Sequence, residues 1–196
     1  MATKMKSTIL TMSLVLLIIT AISAGTLAYF NELTKGPIAE ANKQKKIDAL
    51  SLVLPKFDNS PLDEIVKIPF DNDTVYCYIA RLHDKVVGVA CESFSLKGFG
   101  GFISVMVGFD PDGNIINTAL LEHKETPGLG DKTDKKKTNW SDLFNGKNPA
   151  TFKLKVKKDG GDVDQITAAT VTSRAYTDAV DRGYKAFLQV KEDIKF

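Results

Sequence analysis

From Thr8 to Phe30 the chain carries no charged side chain, and this run constrains the fold more than any other feature. About 23 helical residues at ~1.5 Å each span roughly 34 Å, enough for the hydrocarbon layer of a bilayer. A cleavable signal peptide has an apolar stretch of only about 7–15 residues and a small-x-small exit. Ala21 to Ala28 offers only loose versions of that exit, so the run reads as a retained single-pass anchor. Lys4 and Lys6 precede it, while Glu32 follows closely and dilutes Lys35. Positive charge favours the cytoplasmic side, so the N-terminus is expected in the cytoplasm and the main domain outside it.

The remainder of the 196 residues is long enough to bury a core of its own. The net charge is +2 and the basic residues are spread along the chain, which argues against a nucleic-acid partner, since phosphate binding needs a coherent basic face. Cys77 and Cys91 have no Cys-His pattern around them, so no metal site is expected. Both fall in strand-like segments and read as buried free thiols, with a bridge left open by an oxidising compartment.

Beyond the anchor, Asn31 to Pro37 reads as an exit from the membrane, with Gly36-Pro37 as the stop. Ile38 to Leu54 has an incomplete apolar helical face through Ile38, Ala41, Ala49, Leu50, Val53 and Leu54, and Pro55 ends it. The stretch through Asp73 is mixed and irregular in part. The period then falls to two residues. Thr74 to Leu82 and Val86 to Glu92 form a hairpin across His83-Asp84-Lys85, and Phe102 to Phe109 and Ile115 to Glu122 form another across Asp110-Pro111-Asp112-Gly113-Asn114. Thr151 to Val156 alternates like a half-exposed strand, and Lys132 to Lys137 reads as a solvated loop. Thr172 to Val190 is helical, with Ala175, Ala179, Val180, Ala186, Phe187 and Val190 on its core side. Strands flanked by helices make an α+β domain.

Two segments carry chemistry. His123 to Lys132 follows a strand and contains Glu125-Thr126-Pro127-Gly128-Leu129-Gly130. Pro127 fixes one dihedral and the glycines permit conformations that other residues resist, so backbone groups can approach a flat ligand; by itself, such a loop reads first as a plain tight turn. Asp164 to Arg174 gathers the hydroxyls of Thr167, Thr170, Thr172 and Ser173 at a helix start. Unpaired N–H groups there suit an anion, and Arg174 can assist. The bland alternative is an ordinary N-cap supplied by Thr172 or a neighbour. His123 and His83 read as structural or solvated rather than as proton donors. Trp140 and Phe144, at helical spacing, either shield a ligand or pack in the core.

Taken together, the two segments resemble the FMN-binding domain shared by the G subunit of the Rnf complex, an ion-translocating ferredoxin–NAD oxidoreductase, and the C subunit of the sodium-translocating NADH–quinone reductase. In that family a Glu-Thr-Pro-Gly-Leu-Gly loop precedes an Asp-x-x-Ser/Thr-Gly-Ala-Thr-x-Ser/Thr flavinylation motif. Here the loop is Glu125 to Gly130, and the motif reads Asp164, Thr167, Ala168, Ala169, Thr170, Val171, Thr172. Ala168 departs from the usual glycine; if the position needs positive φ, alanine costs about 1 kcal/mol.

The resemblance implies a membrane anchor over 1–30, a connecting segment over 31–73 and an FMN-binding domain over 74–196. It implies FMN joined by a phosphodiester to Thr170, with flavin contacts from Glu125, Thr126, Gly128, Leu129, Gly130 and Thr172. A separate flavin transferase would make the link, moving FMN from FAD. The partners would be the other subunits of the complex in the inner (cytoplasmic) membrane, and the chain would carry electrons without being catalytic alone. The modest length favours the Rnf G type over the quinone reductase C type. The alternative from another class is an anchored binding module with no redox role.

Overall fold

The computed structural model describes residues 8–70 and 73–194; Lys4 and Lys6, on which the expected orientation depends, lie outside the described residues. The chain divides into two compact units, Met1–Gln44 and Lys45–Phe196. Helix α1 runs over Ile9–Val53. Its apolar part is long enough to cross a membrane, and none of that part is buried. The expected stop at Gly36-Pro37 does not occur, since Pro37 lies inside the helix. A helix commonly ends on a glycine of positive φ, and Gly36 is not among the glycines that adopt one. Pro37 therefore interrupts the hydrogen-bond ladder locally without ending it. The helix does end before Pro55, as expected, and its last turns bury Ala49, Leu50 and Val53.

The second unit is built on a five-stranded antiparallel sheet in the order β1-β2-β3-β4-β5. The strands are β1 (Ile65–Phe70), β2 (Asp73–Leu82), β3 (Lys85–Gly98), β4 (Gly101–Phe109) and β5 (Ile115–His123). Helix α2 (Thr170–Asp193) closes the chain, so the α+β reading holds. Strand β1 falls in the stretch read as mixed. It contains Pro69, which an edge strand tolerates because one side of its backbone has no ladder to join. The β2–β3 loop is tighter than the expected three residues: Leu82 pairs with Lys85, and His83 and Asp84 take φ of 52° and 64°. Positive φ at both central residues is the mark of a hairpin turn whose twist suits the flanking strands.

Successive side chains of a strand point to opposite faces, and both faces here are covered. Cys77, Ile79, Val105 and Val107 pack with Ala175, Tyr176, Ala179, Val180 and Phe187 of α2. Tyr78, Ala80, Ala90, Met106 and Leu121 pack with Ala49, Leu50, Val53 and Leu54 at the end of α1. Double coverage explains why β4 is buried continuously from Ile103 to Phe109. On the α1 side, the Tyr78 hydroxyl donates to Glu92 Oε2 at 2.7 Å, which Lys46 also meets at 2.9 Å. Burial, and then the Glu92 carboxylate, push the Tyr78 phenol upward.

The structure also corrects the expectations for the cysteines and for Thr151–Val156. Cys77 and Cys91 are both fully buried, but they are joined by a disulfide rather than left as thiols. Counting back from the Leu82–Lys85 pair would set Cys77 opposite Ala90. A bulge between Ala80 and Arg81 shifts the register by one and sets it opposite Cys91, with a Cα–Cα distance of 4.2 Å. Nor is Thr151–Val156 a strand: it is a turn, with Phe152 N–H donating to Asn148 O at 2.8 Å, and its β character is confined to an isolated bridge between Val156 and Val163. The half-burial of Phe152 and Leu154 against the core produces the same alternation that a strand would. The lysine-rich loop is also less free than expected, because Thr133 within it is buried and Lys135 bonds Asn117 and Asp142.

Candidate functional site

The loop after β5 turns at Thr126–Leu129, where Leu129 N–H and Gly130 N–H donate to Thr126 O at 3.2 and 3.0 Å. Pro127 and Gly128 take the central positions, and Gly128 holds φ at 79°, the preference of a turn that needs a left-handed third residue. The second segment turns at Ile166–Ala169, closed by Ala169 N–H on Ile166 O at 3.0 Å. Its left-handed corner is Ala168, at φ 63°. The glycine-like conformation that the motif implied is therefore present, on an alanine.

Helix α2 starts at Thr170, and the residue capping it is Ala169, with no side-chain cap hydrogen bond. The capping role considered for Thr172 is thus not realised; the Thr172 hydroxyl instead donates to Glu125 Oε2. Ser173 braces the turn from within, accepting Ile166 N–H at 2.9 Å and donating to Ala169 O at 3.0 Å. The first-turn N–H groups of a helix have no intrahelical acceptor and carry its partial positive charge.

These two segments meet. A cleft of about 610 Å³ is lined by Glu125, Thr126, Leu129, Gly130, Ala168, Ala169, Thr170, Val171, Thr172 and Phe99. Its volume lies within the range of about 300–1,000 Å³ usual for cofactor sites. Apolar walls with a few polar groups suit a flat aromatic ring, and a hydroxyl at a helix start suits its phosphate. The residues present therefore fit an FMN. Of the expected contacts, Glu125, Thr126, Leu129, Gly130, Thr170 and Thr172 line the cleft. Gly128 does not; it is exposed and serves as the corner of its turn.

Phe99 is the lining residue that local sequence did not reveal. It sits on the β3–β4 hairpin, 74 % exposed, and borders the cleft. The signal was present as Gly98-Phe99-Gly100-Gly101, an aromatic residue set among glycines between two strands. The base of this hairpin is fixed to α2 by Ser95 and Lys97, which donate to the two oxygens of Asp178 at 2.7 Å each. Burial raises the Asp178 carboxyl, but the Lys97 ammonium and Ser95 hydroxyl outweigh it and hold the group below its ordinary value.

Other candidates fall away from the cleft. Arg174 makes a forked pair with Asp159 at 2.7 and 2.8 Å and does not line the cleft. Trp140 and Phe144 are packing residues, stacked edge-on to each other and grouped with Tyr176. His83 lies in its hairpin turn. His123 is half-buried, and its Nδ1 accepts Glu125 N–H at 3.2 Å.

Residues 98–185 match the FMN-binding domain family, and residues 5–53 match the RnfG N-terminal region. The chain is similar to the G subunit of the ion-translocating oxidoreductase complex of Erwinia tasmaniensis, at 38 % identity over 85 % of this chain and 84 % of that one. The G subunit of the Pseudomonas aeruginosa complex is 36 % identical, covering 85 % and 82 %. That of Aliivibrio fischeri is 36 % identical, covering 99 % and 95 %.

Proposed function

The chain belongs to the family of G subunits of ion-translocating oxidoreductase complexes, and on that footing we propose that it holds its FMN in the cleft described above, linked through phosphate to Thr170. It is an electron-carrying subunit of an oxidoreductase complex, with the other subunits of that complex as its partners. Neither alternative reading is favoured: the N-terminal match is to the RnfG region, and the domain match is to FMN binding.

One observation carries the assignment to Thr170. Thr170 is the first residue of α2 and lines the same cleft as Glu125, Thr126, Leu129 and Gly130. A phosphodiester there has one negative charge, which the helix start favours. In the attachment step, the Thr170 oxygen bonds to the phosphorus of the FMN half of FAD. The pyrophosphate P–O bond breaks, AMP leaves, and the hydroxyl proton passes to solvent; a separate flavin transferase catalyses this exchange. The bound flavin supplies one- and two-electron redox chemistry. Leu129, Val171 and Phe99 would limit water at the ring, Thr126 and the turn backbone would offer hydrogen bonds, and the link to Thr170 would keep the cofactor at high effective concentration beside its cleft.

We also propose that α1 anchors the chain in the inner membrane with the second unit outside the cytoplasm. Lys4 and Lys6 before the apolar run support this orientation, as does the Cys77–Cys91 disulfide, which persists in an oxidising compartment.

Full-length protein made alongside a flavin transferase should give a band that fluoresces under ultraviolet light on a denaturing gel. Thr170→Ser should keep the band and Thr170→Ala should lose it. An unmodified Thr170 peptide in co-produced wild-type protein rejects the assignment.

A further inference from the structure

We propose that Glu125 is the positioning residue of the cleft, its buried carboxylate tying the β3–β4 hairpin to the first turn of α2 so that Phe99 and Thr170 are held in place before a flavin arrives. What the cleft holds rests on the function proposed above; the clamp itself does not.

Glu125 is 5 % exposed. Its Oε1 accepts Gly100 N–H at 2.9 Å, and its Oε2 accepts the Thr172 hydroxyl. Its own N–H is fixed on His123 Nδ1. One side chain therefore joins three segments distant in sequence. The chain also makes room for it. A Cβ at Gly98 would come within 2.5 Å of Oε1, and one at Gly130 within 2.8 Å of Oε2 and of Thr172 Oγ1. A Cβ at Gly100 would lie 1.9 Å from Lys124 O. Gly98 and Gly100 belong to the β3–β4 hairpin and Gly130 to the segment after β5, and all three adjoin Glu125 or its neighbour.

A buried carboxylate is costly unless donors reach it. Here the donors are a hairpin N–H and a helix-start hydroxyl, so compensating the charge also fixes the distance between those two walls. Both oxygens are engaged within the protein, which makes Glu125 a part of the frame that presents the cleft rather than a group free to bind the ring. The hairpin base is held independently by Lys97 and Asp178. Loss of Glu125 should therefore loosen the tip that carries Phe99 and leave the rest of the sheet intact.

The test uses full-length protein in detergent micelles, first without flavin and then flavinylated. In the flavin-free protein, Glu125→Ala should speed hydrogen exchange of the Gly100 segment by about tenfold or more, with the buried part of α2 still protected. Glu125→Gln should restore most of the protection, because its carbonyl can accept from Gly100 and its NH2 can donate to Thr172 Oγ1. In the flavinylated protein, Glu125→Ala should raise flavin fluorescence severalfold as solvent reaches the ring, and Glu125→Gln should not.

Wild-type exchange at Gly100 in Glu125→Ala overturns the clamp. If that exchange rises as expected while wild-type protein accepts no flavin, the clamp stands and the FMN reading fails. If Glu125→Ala does not fold, Thr172→Val removes only the α2 arm. Faster exchange at Ser173, whose N–H donates to Ala169 O at 2.9 Å, then supports the proposal, and unchanged exchange there overturns it.

Discussion

Ala168 holds φ at 63° at the corner that feeds α2. An L-residue with a Cβ pays about 1 kcal/mol or more for that conformation, and glycine does not. Ala168 is exposed, so its methyl gains little packing in return. Ala168→Gly should therefore stabilise the second unit by about 1 kcal/mol, raising its unfolding midpoint by about 2–4 °C, as read by thermal denaturation of the flavin-free chain. A fall in the midpoint would mean that the methyl makes a compensating contact. At this scale much was legible. The Glu125–Gly130 and Asp164–Thr172 motifs supplied most of the cleft lining, because short-range spacing encodes turns and helix starts. Phe99 escaped because nothing in its local sequence tells which distant loop its hairpin faces. Arg174 was misread for the same reason: a cation near a helix start can assist a phosphate, but here the fold brings Asp159 to it first.

Elements whose periodicity is local were readable. Four of the strands and the core side of α2 followed from alternation and from helical spacing. Where the same pattern serves two geometries, the reading failed: Thr151–Val156 alternates because Phe152 and Leu154 fill gaps beside the core, not because a neighbouring strand pairs with it. The docking of the end of α1 on the sheet is another contact that only the fold reveals. A Cβ at Gly108 would lie 1.9 Å from Val53 O and 3.0 Å from Val53 Cβ, so the end of α1 reaches the sheet at a point where β4 has no side chain. Gly108→Ala must push backbone from backbone. It should destabilise the domain by about 2–3 kcal/mol or more, an overpacking cost, seen as a lower denaturant midpoint with an unchanged slope. An unchanged midpoint would show that this contact yields freely.

For the whole molecule, the decisive quantity is the free energy of an apolar helix in lipid. The exposed apolar face of α1, from Ile9 through Phe30, is costly in water and favourable in a bilayer. A tag placed after Phe196 should be reachable in intact spheroplasts, and protection of that tag would reverse the proposed orientation. Sequence alone determined the long apolar helix, the α+β class and the two segments that line the cleft, because each depends on residues close together in the chain. The tertiary structure decided what depends on register and packing. A one-residue bulge set Cys77 against Cys91, the sheet brought the hairpin of Phe99 to the cleft, and burial made Glu125 the bridge between hairpin and helix. Such long-range pairings are fixed by the sum of many weak contacts, and no short stretch of sequence contains that sum.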